Sequence, residues 1–191
     1  MQGKILSNVI EKIMRILILA SICLAACTNA VGIEPLKDAE TECLFRFSAK
    51  PVCSYKYDKY TVSVSLVTKP IAENEIELTQ ANILFDGRKQ ILDISPDVSL
   101  IDGDTGMMLF EDINFDGIPD LAISTSFGVA NQYFDYWIYD KQSSAYFTVG
   151  NLPKLKLDPL RKTLTASVKI NAAAYETQIF SWQGKKLVKS K

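Results

Sequence analysis

The densest group of side chains that could do chemistry is the nine-residue segment DINFDGIPD, residues 112–120. Oxygen-bearing side chains stand at its first, third, fifth and ninth positions: Asp112, Asn114, Asp116 and Asp120. Glycine stands sixth, where the chain must turn sharply, and Ile118 in seventh place could offer its backbone carbonyl. Carboxylates this close repel one another, so a cation would stabilise them. The spacing therefore predicts a Ca²⁺ site, because calcium prefers oxygen ligands.

The segment is not a complete EF-hand. Ile123 stands at position twelve, where that motif has a bidentate glutamate, and the flanks read as strands. The combination resembles the strand-loop-strand calcium loops of FG-GAP and integrin-type repeats. The alternative is a solvated acidic turn in which Asp and Asn bond to nearby backbone groups. One copy is clear and Asp102-Gly103-Asp104 is a faint second, so a propeller is not indicated.

The chain contains no histidine. Ser-His-Asp and Cys-His catalysis, zinc hydrolysis and most proton shuttling at neutral pH depend on imidazole, so these mechanisms are excluded. A carboxylate-only hydrolase using Asp112 or Asp116 stays open as an alternative. Catalytic carboxyl pairs face each other across a cleft from different elements, whereas these two share one tight turn. We therefore expect that the protein is not an enzyme.

The four residues LAAC at 24–27 close a short apolar run that follows Lys12 and Arg15. The pattern resembles the lipobox of bacterial lipoproteins, whose cysteine carries the lipid. The resemblance implies a signal peptide over 1–26, a lipidated Cys27 and a tether over 27–41. Thr28 replaces the Asp that commonly retains such proteins in the inner membrane, which favours an outer membrane lipoprotein facing the periplasm. The alternatives are an uncleaved anchor helix and a buried core helix.

Removal of residues 1–26 would change the charge of the chain. Lys plus Arg would fall from 21 to 18 and Asp plus Glu from 22 to 21, which leaves a net charge of −3. A weakly acidic body is unsuited to nucleic acid and to lying along anionic lipid. We therefore expect no nucleic-acid partner, and contact with the membrane only through the lipid anchor.

Cys43 and Cys53 would lie in an oxidising compartment. They stand symmetrically about Ser48, in a segment that reads as two short strands and a turn. We predict a disulfide between them; the alternative is a pair of buried free thiols. A metal site formed by these two cysteines is disfavoured, because the chain has no histidine to complete it.

Strand patterns fill most of the chain after residue 41. Residues 60–67 alternate apolar and polar side chains, the mark of a strand with one face in the core. Similar runs continue to the C terminus with turn signals at Asp86-Gly87 and Gln183-Gly184, and no segment shows a helical period over three turns. The sequence predicts one all-β domain over 42–191, an antiparallel sandwich or open barrel that carries the calcium-type loop.

The segment DINFDGIPDLAISTSFGVANQYFDYWIYD, residues 112–140, carries a second resemblance. It is similar to a signature of Gram-negative periplasmic lipoproteins: DxNFDGxxDL, a strand, a loop with Gly, Asn and Tyr, then a YDxxxYD-like strand. The similarity continues through Leu152-Pro153 and residues 180–187. Some members of that family are immunity proteins that inhibit lysozyme-like toxins delivered by a type IV secretion system. Their fold is similar to that of the periplasmic inhibitors of invertebrate-type lysozyme.

The resemblance implies an inhibitory loop that leaves the strand following the acidic motif. A lysozyme cleft is lined by two carboxylates, so an inhibitor needs a protruding loop with uncharged donors and an aromatic side chain. Residues 124–133 have this chemistry, and the candidate inhibitory residues are Ser126, Gly128, Asn131 and Tyr133. The alternative is an ordinary hairpin loop whose Tyr133 packs on a sheet face.

These observations lead to one expected function and one alternative. We expect a periplasmic lipoprotein of the immunity type, which inhibits a lysozyme-like peptidoglycan hydrolase by inserting a polar loop. The alternative is a calcium-stabilised binding or assembly module whose partner is another envelope protein.

Overall fold

The computed structural model describes residues 41–47, 51–57 and 60–190, with only the backbone of Tyr60. The expected signal peptide, Cys27 and the tether as far as residue 40 lie outside these residues. Within the described residues there is no helix long and apolar enough to cross a membrane. All regular structure in this part of the chain is β, which confirms the predicted fold class.

The described region contains fourteen strands, and every strand pairing in it is antiparallel. Their bounds are β1 (Glu42–Arg46), β2 (Val52–Tyr57), β3 (Tyr60–Ala72), β4 (Glu75–Phe85), β5 (Arg88–Asp93), β6 (Ser99–Ile101), β7 (Thr105–Glu111), β8 (Asp120–Ser124), β9 (Tyr133–Asp140), β10 (Ala145–Pro153), β11 (Lys156–Asp158), β12 (Thr163–Lys169), β13 (Tyr175–Gln183) and β14 (Lys186–Lys189).

The strands form three sheets. The central sheet has the order β1-β7-β8-β9-β10. The N-terminal sheet has the order β2-β3-β4-β5, with β6 paired to β4, and the C-terminal sheet has the order β11-β12-β13-β14. None of the three closes into a barrel, so the predicted sandwich is the arrangement found, with a third sheet in addition to the usual two.

The central sheet lies between two hydrophobic cores. Side chains of the N-terminal sheet pack on one face of it, and side chains of the C-terminal sheet pack on the other. Successive residues of one strand therefore enter different cores: Leu121 and Ile123 of β8 face the first core, and Ala122 faces the second. All five residues of β8 are buried. A strand covered on both faces reads as a nearly continuous apolar run, and LAI in β8 is such a run.

The strand predicted over residues 60–67 has the expected one-sided burial. Val62 and Val64 are buried in the first core, while Ser63 and Ser65 face outward from the N-terminal sheet. The two predicted turns also form, since β4 and β5 are joined at Asp86-Gly87, and β13 ends at Gln183 before a turn. The alternation of residue types therefore predicted this strand and its buried face correctly.

Covalent and polar links join the two sheets that enclose the first core. Cys43 of β1 is bonded to Cys53 of β2, with a Cα–Cα distance of 6.1 Å, which confirms the predicted disulfide. The two strands belong to different sheets, so the bridge joins their edges. At the opposite edges, the Gln90 amide nitrogen donates to the Tyr146 carbonyl (2.7 Å), and the Gln90 amide oxygen accepts from the Tyr146 N–H (2.8 Å).

We expect the disulfide to contribute measurably to stability. Its cysteines are 10 residues apart, and closing so short a loop stabilises the folded state by about 3 kcal/mol, because the cross-link restricts the unfolded chain. The double variant Cys43→Ser/Cys53→Ser should lose that amount in urea unfolding. The control is reductant, which should destabilise the wild type equally and leave the double variant unchanged. Equal stability of the two proteins without reductant would contradict this prediction.

Candidate functional site

The two loops singled out by sequence lie at opposite ends of strand β8. The acidic loop, residues 112–119, precedes Asp120, and the β8–β9 loop, residues 125–132, follows Ser124. Five residues of strand separate them by roughly 13 Å along the strand. The predicted calcium ligands and the predicted inhibitory residues therefore belong to two separate sites.

The acidic loop is closed by its own side chains. The two Asp112 carboxylate oxygens accept from the N–H groups of Asp116 (2.9 Å) and Gly117 (2.8 Å). The Asn114 side-chain oxygen also accepts from the Asp116 N–H (3.0 Å), and the Asp116 carboxylate accepts from the Ile118 N–H (2.8 Å). These contacts are the local side-chain to backbone bonds that Asp and Asn form in turns. They hold the loop in one tight conformation.

Asp120 at the base of the acidic loop is only 1% exposed. One of its oxygens accepts from the Tyr139 N–H (2.9 Å), and the other accepts from Ile113 (2.9 Å) and Asn114 (3.3 Å). The pKa of this carboxyl group is raised to about 8. Burial is the largest cause, the three N–H donors oppose it, and the nearby charge of Asp116 adds to it. Asp120 therefore anchors the loop to strand β9.

The donor chemistry of the acidic loop suits a hard cation, but the acidic groups do not converge on one point. Among the residues that the structure describes, no three of the types His, Cys, Asp and Glu are grouped closely enough to hold a metal ion. Asp112, Asn114 and Asp116 lie together, whereas Asp120 is buried at the base of the loop. Ile118, predicted to bind through its backbone carbonyl, packs its side chain against the first core. Calcium binding stays a prediction.

Side chains from other elements also hold the acidic loop, and sequence reasoning did not identify them. The Tyr57 hydroxyl donates to the Gly117 carbonyl, and the Lys141 ammonium donates to the Asp116 carbonyl at 3.3 Å. The Trp182 indole N–H donates to the carbonyl of Ile113 at 2.8 Å. Tyr57 and Trp182 come from the N-terminal and C-terminal sheets, so the loop is fastened to all three sheets.

The β8–β9 loop is closed at its base by Ser126. The Ser126 hydroxyl donates to the Asn131 carbonyl (3.1 Å) and accepts from the Tyr133 N–H (2.7 Å). The Asn131 side chain bonds to both backbone groups of Lys169 in β12, donating to its carbonyl (3.0 Å) and accepting from its N–H (2.8 Å). Two of the four predicted inhibitory residues therefore use their polar atoms inside the protein, and Asn131 ties the loop to the C-terminal sheet.

An aromatic contact fixes the other side of the same loop. Phe127 packs against the first core and meets the ring of Phe45 edge to face, with centroids 6.4 Å apart. The Phe45 ring occupies the space that a Cβ atom at Gly106 would need, so glycine is required at that position opposite Phe45. The side chain of Phe127 therefore fastens the loop to strand β1.

The tip of the β8–β9 loop, residues 128–130, faces solvent. Gly128 has a φ of +64°, which favours glycine, and the side chain of Val129 is 58% exposed. Tyr133 at the base is half-buried. The three residues of the tip are uncharged. A carboxylate oxygen of Asp104 lies beside them, 3.3 Å from the position of a Cβ atom added to Gly128.

Comparisons of the chain with family models, with curated proteins and with solved structures find no match in any of the three.

We expect the stability of the fold to fall as pH rises from about 4 to about 8, in part because of Asp120. Its folded-state pKa of about 8 lies above the ordinary 3.8, so the folded protein holds this proton more tightly than the unfolded chain. That contribution is complete below pH 3.8 and is lost as pH rises through 8. Urea unfolding at pH 5 and pH 8 measures it.

The variant Asp120→Asn should show a smaller loss of stability between the two pH values, although it is less stable at both. Both Asp120 oxygens accept from backbone N–H groups. The NH₂ group of an asparagine would replace one of these oxygens, and it cannot accept a hydrogen bond. The exposed Asp102→Asn serves as the matched control and should follow the wild-type profile. The same pH dependence in Asp120→Asn and the wild type would show that Asp120 does not supply it.

Proposed function

We propose that the protein is a non-enzymatic inhibitor of a lysozyme-like peptidoglycan hydrolase, an immunity-type lipoprotein of the outer membrane that faces the periplasm. Lipid on Cys27 would hold it there. The observation that supports this proposal best is the form of the β8–β9 loop, in which an uncharged, exposed tip stands on a base that is fastened at several points.

The first supporting feature is the restraint on the loop. Ser126 closes the base, Asn131 bonds to the backbone of Lys169, and Phe127 packs beside Phe45. A loop already held in its binding conformation loses little conformational entropy when it enters a cleft. In this proposal Ser126 and Asn131 support the loop, and the exposed tip makes the contact.

The second supporting feature is the chemistry of the tip. Residues 128–130 carry no charged side chain, and a glycine lets a partner approach the backbone closely. Backbone N–H groups there could donate to the two catalytic carboxylates of a lysozyme-like enzyme. Hydrogen bonds to charged groups are worth about 1.5 to 3 kcal/mol each. The exposed part of Tyr133 would occupy a sugar-binding position next to them.

The arrangement of the carboxylates also agrees with a protein that is not an enzyme. Asp112 and Asp116 sit on one turn, and the oxygens of Asp112 are bonded to the N–H groups of Asp116 and Gly117. Glycoside hydrolysis needs two carboxyl groups about 5 to 10 Å apart on either side of a substrate. We therefore assign Asp112 and Asp116 to the loop itself and not to catalysis.

We expect the wild type to inhibit at least one enzyme in a panel of glycosidase and transglycosylase lysozymes, measured by the clearing of peptidoglycan suspensions. Val129→Asp should weaken inhibition at least tenfold at an unchanged melting temperature, because it adds a negative charge to that of Asp104 at the surface facing the catalytic carboxylates. Tyr133→Ala should weaken it as well. Leu160→Asp is the matched control, since Leu160 is 98% exposed and lies in the turn between strands β11 and β12.

Two results would contradict the proposal. Absence of inhibition across the whole panel would reject the function. Inhibition that Val129→Asp leaves intact would reject the β8–β9 loop as the inhibitory element.

A second candidate function is a calcium-stabilised binding or assembly module of the cell envelope, whose partner is another envelope protein. The acidic loop favours it, because Asp112, Asn114 and Asp116 bring oxygen atoms together in an exposed turn. A cation there would stiffen a loop that already contacts all three sheets.

We expect calcium at about 100 times its dissociation constant to raise the free energy of unfolding by about 2.7 kcal/mol, because it binds the folded state alone. Asp116→Ala should remove that increment, whereas Asp102→Ala in the fainter acidic turn should retain it. The melting temperature with calcium and with chelator measures both. A wild type that responds to neither would leave the acidic loop as a turn closed by its own side chains.

A further inference from the structure

The outward face of the N-terminal sheet carries a concavity of about 500 Å³. Three apolar side chains that line it are unusually exposed: Val52 at 63%, Leu84 at 41% and Ile91 at 61%. A volume of this size lies in the range of sites for small molecules, roughly 300 to 1,000 Å³. The face is distinct from both loops discussed above, because it lies on the outer side of strands β2 to β5.

The strand register explains the shape of this concavity. One row across the sheet runs Val52, Ser65, Asn82, Ile91, and the next runs Ser54, Ser63, Leu84, Lys89. Side chains in register stand about 5 Å apart, so small serines on β3 form a floor between taller neighbours. The result is a trough with apolar walls and uncharged polar groups at its base.

The charge at the trough has one sign. Lys89 is the charged residue that lines it, and within the described residues Lys89 makes no ion pair and no side-chain hydrogen bond. Asp93, the acidic residue next along the outward face of β5, is already bonded to the Gln80 amide at 2.9 Å. An exposed apolar trough with an unpaired ammonium at one end complements an apolar molecule that carries an anionic group.

We propose that this trough binds a single-chain amphiphile with a carboxylate, namely a medium-chain fatty acid. The alkyl chain lies along Val52, Leu84 and Ile91, and the carboxylate pairs with the ammonium group of Lys89. The serine hydroxyls and the Asn82 amide remain accessible to water beneath the chain. This binding is independent of the inhibitory function proposed above.

Isothermal titration with sodium laurate tests the proposal, with decanoate, dodecanol and dodecyltrimethylammonium as comparison ligands. We expect saturable binding of laurate, and about two- to fourfold weaker binding of decanoate for each methylene removed. Lys89→Gln should weaken laurate about fivefold and leave dodecanol unchanged, since an exposed ion pair is worth little more than that. Ile91→Asp should abolish binding of both. Ile179→Asp, at a 45% exposed position of the C-terminal sheet, is the matched control and should bind as the wild type does.

Several results would overturn the proposal. Laurate that does not bind saturably, or binds Ile91→Asp as well as the wild type, would reject this site. Equal binding of laurate and dodecyltrimethylammonium would reject the role of Lys89. Sedimentation equilibrium measures the oligomeric state of the wild type and of Ile91→Asp. A wild-type dimer that becomes a monomer in Ile91→Asp would show that a second copy of the chain covers this face, and would reject the fatty-acid site.

Discussion

The burial of the central sheet on both faces is the constraint on which the other features depend. A strand covered on both sides cannot point a polar group at water, so each polar side chain in it must be bonded within the protein. Strands β8 and β9 contain three buried polar residues, Asp120, Ser124 and Asp135. Each accepts a backbone N–H: Tyr139 donates to Asp120, Met107 to Ser124, and Ser95 to Asp135. No buried side-chain polar atom lacks a partner in the described part of the chain.

These buried groups connect the cores to the loops at the surface. Asp120 and Ser124 are the two ends of strand β8, so this fully buried strand fixes where the acidic loop ends and where the β8–β9 loop begins. Asp135 accepts from the hydroxyl of Ser95 (2.7 Å) and from the amide of Asn151 (2.9 Å), which ties strand β9 to the chain that follows β5. A change inside the sheet would therefore move a loop, whereas a change at a loop tip would leave the sheet intact.

Sequence alone predicted the all-β class, the alternating strand over residues 60–67, two turns and the disulfide. Each of these depends on residues close together in the chain: an alternation of apolar and polar side chains, a turn dipeptide, or two cysteines 10 residues apart. It did not predict the third sheet. Residues 121–123 and 136–139 read as short apolar runs, and periodicity does not tell whether one or two faces of such a run are covered. Nor did it predict the links from Asn131 to Lys169 or from Trp182 to Ile113, which join residues 38 and 69 positions apart. An amide or indole carries no local sign of a distant partner.

The contact between Gln90 and Tyr146 bears on how the molecule behaves in a crowded solution. Strand β10 is one edge of the central sheet, and a free edge offers its backbone groups to strands of other chains. The Gln90 side chain engages both the N–H and the carbonyl of Tyr146 on that edge, so it imitates one residue of a neighbouring strand. A single glutamine thus occupies the two backbone groups of Tyr146 that another strand would need in order to pair with β10 at this point.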